Sequence, residues 1–227
     1  MFNGFPRESV AFLQDLHRNN NREWFESNRS RYETFFVKPA LDLIEALVPV
    51  AQSLEPPHQA VPKANQSLRR VHRDTRFSKD KTPYNPMMHL VFWTGDHPNR
   101  SAGIHLVLAH DHFGYGAGHW AFEGAGLERY RLAVQDEGAK RDLDAALKSA
   151  HSVGCGLTEP ELKRVPAGFA ADDPNSELLR RKGLVARTRD DPGFDGRLFG
   201  EEALVLITSI FEALAPLDAW IDRHVAG

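Results

Sequence analysis

The residues best suited to chemistry lie in one short segment that is rich in positive charge. Residues 69–81 read RRVHRDTRFSKDK. This segment holds six basic and two acidic residues, a net charge of +4, whereas the whole chain carries −3, so the remainder carries −7. Arginine and lysine side chains converge where phosphate or carboxylate oxygens are held. The pattern therefore indicates a binding site for an anion.

The side-chain types suggest individual roles in this site. Asp74 or Asp80 could orient a guanidinium group or accept a proton, and Tyr84 offers a phenolic donor. The candidate ligands for anionic oxygens are Arg73, Arg76, Lys79 and Lys81.

Two other interpretations of the basic segment stay open. Its carboxylates could pair with neighbouring cations and only brace a surface loop. Alternatively, the segment could bind a polyanion, with Phe77, Tyr84 and Trp93 stacking on bases. The segment matches neither GxxxxGK[ST] nor GxGxxG, and the chain has no GxSxG elbow, so these motifs define no reaction class and no cofactor.

Four histidines form a second group of candidates, since they fall within fifteen residues together with Asp111. His110 and His112 fall at a turn, and neither HExxH nor paired CxxC accompanies them, so no metal site is predicted. His105 falls within a predicted strand. It is the best general acid or base if its side chain points towards the basic segment, and a hydrogen-bonded core residue otherwise.

Three alternating glycines, Gly114, Gly116 and Gly118, share one face of a predicted strand. They could let a flat ligand approach the backbone, or let a helix pack closely.

Composition limits the class of protein. The chain has 227 residues, of which 41% are hydrophobic and 26% are charged. A folded chain of this size buries about 70% of its unfolded surface, which excludes disorder and disulfide-stapled scaffolds. An isoelectric point near 6.4 argues against nucleic acid or an acidic membrane as the main partner. A small anionic ligand is the expected partner.

Three features of the sequence indicate the cellular compartment of the protein. The single Cys155 cannot form an internal disulfide, which suits a reducing compartment. The first residues, MFNGFPRESVAFLQDL, do not read as a secretory signal. The apolar run at 203–211 is shorter than the about 20 residues of a membrane-spanning helix. We expect a cytoplasmic protein without a membrane partner.

Hydrophobic periodicity divides the chain into a helical part at 6–54, a sheet-rich part at 66–120 and a helical part at 123–227. The Asn run at 19–21 can stop one helix and cap the next. Short strands with tight connections favour an antiparallel sheet. We predict one domain over 1–227, of the α+β class, with about five strands and with N-terminal and C-terminal helices packed around them. The predicted strands are 67–72, 88–94, 104–109, 113–120 and 184–187, and the predicted later helices are 127–135, 140–151, 177–182 and one starting at Glu201.

Two motifs, RDTRFSKDKTPY at 73–84 and NNNREWF at 19–25, resemble domain-of-unknown-function family 2461. A strand ending in a Gly-rich hairpin and Trp, at 103–120, extends the resemblance. Asn85-Pro86 departs from the pattern, where a basic residue is expected. Further matches are LERYR at 127–131, LKRVPAGF at 162–169 and LLRRKG at 178–183.

The resemblance implies a single domain and no particular activity. It also adds three basic residues, Arg131, Lys163 and Lys182, on the later motifs. We expect these residues to fold back towards 73–84 and to complete a cationic pocket beside the sheet.

Overall fold

A computed structural model describes residues 2–189 and 193–226. Helices precede and follow the sheet-forming part of the chain. Before it come α1 (Arg7–Arg18), α2 (Arg22–Ser27), α3 (Arg29–Tyr32), a π-helical turn (Glu33–Val37) and α4 (Lys38–Ser53). After it come α5 (Ala125–Gln135), α6 (Glu137–Ser152), α7 (Ser176–Leu179), a 3₁₀ turn (Gly196–Phe199) and α8 (Ala203–His224).

One five-stranded sheet, in the order β1-β2-β3-β5-β4, lies at the centre of the fold. Every neighbouring pair of strands is antiparallel. The α+β class with an antiparallel sheet is thus confirmed. The strands are β1 (Met87–Trp93), β2 (Gly103–Ala109), β3 (Phe113–His119), β4 (Gly156–Leu157) and β5 (Leu184–Arg187).

The two faces of the sheet have different neighbours. On one face, Leu90, Leu106 and Ala117 are buried in the hydrophobic core, where α4 packs on β1 and α8 packs on β2 and β3. Phe92 and Phe211 meet edge-on there, with ring centroids 4.8 Å apart. Because side chains alternate along a strand, the residues between these core positions point to the opposite face.

α8 is, by length and composition, apolar enough to cross a membrane, but half of its most apolar window is buried within the protein. Ile207, Phe211 and Leu214 on this helix are fully buried in the core. Its apolar character is therefore that of a core helix, as in soluble proteins.

The basic segment forms a hairpin that leads into β1. Residues 67–69 first pair with β1, where the Arg69 amide donates to the His89 carbonyl at 2.9 Å. The chain then turns back on itself, with the Arg73 amide donating to the Pro83 carbonyl at 2.8 Å. We call residues 71–85 the basic hairpin. The predicted strand at 67–72 was wrong, since only isolated bridges form there.

Other local predictions had mixed outcomes. The capping role of the Asn run is confirmed, because the Asn21 side chain accepts a hydrogen bond from the Trp24 amide at the start of α2. α7 is shorter than predicted, and α8 begins at Ala203, after the two glutamates. β4 was not predicted, because two residues carry too little periodicity to be recognised.

Candidate functional site

A groove of about 340 Å³ lies on the face of the sheet opposite to α4 and α8. Its size falls at the lower end of small-molecule sites. Lining residues come from four strands, from the turn before β3 and from the segments that follow β3 and β5. They are Met87, His89, His105, Val107, His112, Gly114, Tyr115, Gly116, Ala117, Gly118, Trp120, Val185, Arg187, Thr188 and Arg189.

Strand register places two polar side chains on either side of the groove floor. His105 of β2 pairs with Gly116 of β3, and Gly116 pairs in turn with Arg187 of β5. Neighbouring strands lie about 4.8 Å apart, so the backbones of His105 and Arg187 are separated by about 10 Å. Gly116 has no side chain, and His105, Gly116 and Arg187 all line the groove.

The glycines in this floor are required by the close approach of β5. A Cβ atom on Gly116 would lie 2.6 Å from the Ala186 carbonyl oxygen and 2.9 Å from the Arg187 Cα. Gly118 has a φ of +121°, and a Cβ there would meet the Leu184 carbonyl oxygen. The neighbour that a Cβ would meet at these two positions is thus the strand β5, while α8 also packs on β3 and the Gly118 backbone contacts Asp218 of that helix.

His105 forms a hydrogen-bonded pair with His89 in the groove wall, with His105 Nδ1 2.8 Å from His89 Nε2. Burial lowers the pKa of His89 to about 4, and the nearby Arg69 charge adds to this effect. Burial lowers the pKa of His105 to about 3, helped by His89 and Arg69. Both rings are therefore neutral at pH 7.

The groove is bordered by cations. Arg187 and Arg189 line it directly, and Arg69 acts on the histidine pair from the segment beside β1. The Arg69 guanidinium donates to Asn99, and burial lowers the pKa of Arg69. Among the lining residues that the structure describes, none is an aspartate or a glutamate. The groove therefore combines apolar walls with two arginine side chains.

The sequence predicted a role for His105, but it did not predict that His89, Arg187 and Arg189 would line the same groove. The alternating basic residues of LVARTR, at 184–189, could have indicated the two arginines. His89 carries no such signal, because its contact with His105 depends on the register of β1 against β2.

Most cations of the basic hairpin are bound within the hairpin itself. Arg73 donates to Asp80 at 2.5 Å and also to Thr82. The Thr82 amide and Arg73 together lower the pKa of Asp80 to about 2. Arg76 makes a forked contact with Asp74, with a shortest distance of 2.7 Å, and holds the pKa of Asp74 below its usual range.

Two lysines complete the predicted anion ligands on this hairpin. Lys81 donates to the Thr75 carbonyl at 2.9 Å, and Lys79 is exposed. The hairpin contacts are the geometry expected for a braced surface loop, although exposed pairs of this kind hold their partners weakly.

Tyr84 is buried at the base of the basic hairpin. Its ring stacks on Phe25, with centroids 4.1 Å apart and planes 16° from parallel. The Asn20 side chain forms two hydrogen bonds with the Tyr84 backbone. It accepts from the amide at 3.0 Å and donates to the carbonyl at 2.9 Å. Burial raises the pKa of the Tyr84 hydroxyl. In this position Tyr84 anchors the hairpin to α2.

The three later basic residues lie elsewhere. Lys182 precedes β5, where its carbonyl accepts from the Phe122 amide at 2.7 Å, near the end of β3. Lys163 follows Leu162, whose amide donates to the Arg180 carbonyl, and Arg131 lies on α5, which packs against α7. The basic hairpin leads into the start of β1, at the other end of the sheet. The structure therefore does not bring these three residues together with the hairpin.

Two other candidate chemistries can be assessed. Burial raises the pKa of the Cys155 thiol to about 12, so this cysteine is not a thiolate nucleophile at pH 7. Within the part of the chain that the structure describes, no group of three or more His, Cys, Asp or Glu side chains is placed to hold a metal ion.

Comparison with known proteins defines the class of this chain. A family model described as "Conserved hypothetical protein (DUF2461)" matches residues 8–220. The chain belongs to this family, and both the basic hairpin and the groove lie within the matched residues. Neither the curated proteins nor the solved structures contain a match to the chain.

Proposed function

We propose that this protein binds a small anionic ligand, bearing a carboxylate or phosphate group, in the groove on the sheet. The observation that carries the proposal is the row of His105, Gly116 and Arg187 across three strands. A glycine lies there between a hydrogen-bonding side chain and an arginine, and all three residues line the groove.

Charge and shape support this proposal together. The chain has a net charge of −3, yet Arg187 and Arg189 both line the groove. The planar guanidinium group of arginine matches the geometry of carboxylate and phosphate oxygens. The remaining walls include Val107, Val185 and Trp120, whose surface is 61% exposed. We therefore expect a ligand with an apolar body and one ionised group.

The proposal extends to the role of single residues and to location. If the ligand is a substrate, His105 would act mainly as a hydrogen-bonding group, because its pKa of about 3 makes it a weak base at pH 7. The hairpin cations Arg73 and Arg76 would then act mainly in bracing the hairpin. The free thiol of Cys155 supports a reducing, cytoplasmic compartment.

Thermal unfolding with benzoate or phenyl phosphate tests the groove as the binding site, with benzamide as an uncharged control. At about ten times the Kd, a bound anion should raise the Tm by about 3–6 °C. Arg189→Gln should reduce this rise, whereas Lys79→Ala on the hairpin should leave it unchanged. No rise with either anion, or a rise lost only in Lys79→Ala, would contradict the proposal.

One observation favours a second candidate function for the basic hairpin. The Phe77 side chain is 94% exposed, and the Arg76 guanidinium carbon lies 5.8 Å from its ring centroid. An exposed ring beside cations can stack on a base of single-stranded nucleic acid. Tyr84 and Trp93 are buried, so Phe77 is the only one of the three predicted stacking residues that is available.

Fluorescence anisotropy of a labelled oligothymidylate of about 12 nucleotides tests this candidate. Binding should weaken linearly on a log–log plot between about 50 and 200 mM salt, and Phe77→Ala should weaken it further. Arg189→Gln is the matched control outside the hairpin. Absence of binding at the lowest salt would exclude this role.

A further inference from the structure

The turn between β2 and β3 carries an inference that rests on the proposed function. We propose that His112, oriented by Asp111, accepts a hydrogen bond from a hydroxyl group of the ligand. The ligand class is thus a hydroxy acid, a small molecule that carries a hydroxyl group in addition to its carboxylate or phosphate group.

The hydrogen bond between His112 and Asp111 determines which ring nitrogen of His112 carries the proton. His112 Nδ1 lies 2.7 Å from Asp111 Oδ1. Because a carboxylate oxygen only accepts hydrogen bonds, Nδ1 carries the proton. In the neutral ring the other nitrogen, Nε2, then has a lone pair and acts as an acceptor.

The acceptor nitrogen of His112 lies beside the floor of the groove. A Cβ atom on Gly114 would lie 3.7 Å from His112 Nε2 and 3.5 Å from its Cδ2. Gly114 and His112 both line the groove. Nε2 makes no hydrogen bond to the described part of the chain and is not fully buried. This nitrogen is therefore available to a ligand in the groove.

The groups that suit an anion lie close to the same point. A Cβ atom on Gly114 would also lie 3.2 Å from Thr188 Oγ1, so this hydroxyl and His112 Nε2 border the same space. Arg187 and Arg189 precede and follow Thr188 in the chain, and both line the groove. A small ligand whose anionic group contacts one of these arginines can therefore also contact His112.

The lone pair of His112 selects the second polar group of the ligand. An anionic oxygen placed at Nε2 would face this lone pair, which is repulsive, whereas a hydroxyl group can donate its proton to it. A hydroxyl group is also neutral, so it adds no positive charge beside Arg187 and Arg189. A ligand that uses both the arginines and His112 is therefore a hydroxy acid.

Contacts with α1 hold the turn in position. The Ala109 amide donates to the His112 carbonyl at 2.8 Å and closes the turn. Gln14 of α1 donates to the His110 carbonyl at 3.1 Å. His17 of the same helix stacks on His110, with ring centroids 4.0 Å apart and planes 8° from parallel. The acceptor is thus oriented before a ligand enters, which lowers the entropic cost of binding.

Isothermal titration calorimetry of the full chain compares benzoate with meta-hydroxybenzoate and para-hydroxybenzoate. The two isomers offer two distances between the hydroxyl and carboxylate groups. The titrations are run at about pH 8, where an imidazole is ordinarily neutral. We expect one isomer to bind about three- to tenfold more tightly than benzoate, which is the gain from one hydrogen bond. The matching methoxybenzoate has no O–H to donate and should show no gain.

Variants assign this gain to His112. The quantity compared is the Kd of benzoate divided by the Kd of the tighter hydroxybenzoate. His112→Phe keeps a flat ring but has no acceptor, and it should bring this ratio close to one. Asp111→Ala removes the group that keeps the proton on Nδ1 and should lower the ratio. His151→Phe, on the exposed surface of α6, should retain it.

Nitrogen NMR of the histidine rings tests the same contact in the unaltered protein, so it does not depend on whether a variant folds. At about pH 8, His112 should be the tautomer with its proton on Nδ1. Its Nε2 resonance should shift when the tighter hydroxybenzoate binds, and not with the matching methoxybenzoate. A proton on Nε2 instead of Nδ1 would overturn the inference.

The outcomes separate this inference from the proposed function. If benzoate and both hydroxybenzoates bind equally tightly, or if the methoxybenzoate shows the same gain, the role of His112 is refuted while groove binding stands. A gain that is retained in His112→Phe would also refute this role, and an unchanged ratio in Asp111→Ala would refute the part of Asp111. If none of the three anions binds, both proposals are refuted.

Discussion

At the scale of single residues, His89 and His105 couple the stability of the protein to pH. In the unfolded chain each histidine would titrate near its ordinary pKa of about 6.5. The folded protein lowers these pKa values to about 4 and about 3, so the unfolded state binds more protons below about pH 6.5. Stability is therefore fully present above pH 6.5 and is lost as the pH falls towards 4.

Urea unfolding at about pH 7 and pH 5 measures this coupling. Between these values we expect the unfolding free energy to decrease by about 2 kcal/mol for each histidine of the pair. His89→Gln/His105→Gln should remove this part of the decrease, and His151→Gln should not. Equal pH dependence in the unaltered protein and the double variant would contradict the assignment.

Residue types alone indicated part of the site. His105 was recognised because an imidazole within a strand is a candidate acid or base, and the hairpin cations because their charge density is unusual. Local spacing also supported the interpretation of the hairpin as a braced loop. Asp74 lies two residues before Arg76, the spacing at which an aspartate accepts a hydrogen bond from the backbone amide in a turn.

At the scale of strands, the glycines of β3 set both the pairing with β5 and the shape of the groove floor. Gly116→Ala would bring a methyl group to 2.6 Å from the Ala186 carbonyl, so a backbone must shift. We expect a loss of about 1–3 kcal/mol in urea unfolding. Gly156→Ala is the matched control in β4, since a Cβ there meets nothing within 4 Å. If the two variants are equally stable, β3 and β5 can move apart to accommodate the methyl group without loss of stability.

The basic hairpin depends on its anchor at Asn20. Asn20→Ala removes both hydrogen bonds to the buried Tyr84 backbone and leaves two peptide groups unpaired. We expect a loss of about 1–3 kcal/mol and faster amide hydrogen exchange within residues 71–85. Asn19→Ala, which loses a single exposed contact to the Asp15 carbonyl, should change neither quantity. If amide hydrogen exchange in Asn20→Ala is unchanged, the stacking of Tyr84 on Phe25, and not Asn20, holds the hairpin in place.

Strands with clear alternation could be predicted, but their neighbours could not. β1, β2, β3 and β5 were recognised from β-prone residues between turn signals, and β5 was placed at its observed bounds. The row that joins His105 to Arg187 depends on two registers between strands far apart in the chain. No local pattern fixes those registers, because each is set by packing of the whole sheet.

At the scale of the whole molecule, a buried pair joins α8 to the segment after α4. His58 Nε2 lies 2.9 Å from Asp218 Oδ2, and His58 Nδ1 lies 2.9 Å from the Pro56 carbonyl oxygen. Both side chains are fully buried, and burial raises the pKa of Asp218. His58 bonds to Asp218 Oδ2, and the Gly118 backbone also favours the ionised carboxylate.

Single and double replacements measure this dependence. His58→Leu should destabilise the protein by about 3–5 kcal/mol in urea unfolding, because Asp218 stays buried without its partner. His58→Leu/Asp218→Leu should recover a large part of that loss. A double variant no more stable than the single one would mean that packing around His58, and not the pair, determines stability.

Helices from both ends of the chain pack against the sheet around one core, and the groove lies on the opposite face. The chain is acidic overall, yet cations border this groove. The position of the groove thus follows from how the complete chain folds. The sequence predicted a pocket around residues 73–84, whereas the groove is lined by residues of the sheet.

A two-dimensional amide NMR titration with benzoate locates the ligand most directly. We expect chemical-shift changes at Gly114, Gly116, Gly118 and Thr188, which line the groove, and unchanged positions for the basic hairpin, 71–85. Changes confined to the hairpin, or none at saturating benzoate, would contradict binding in the groove.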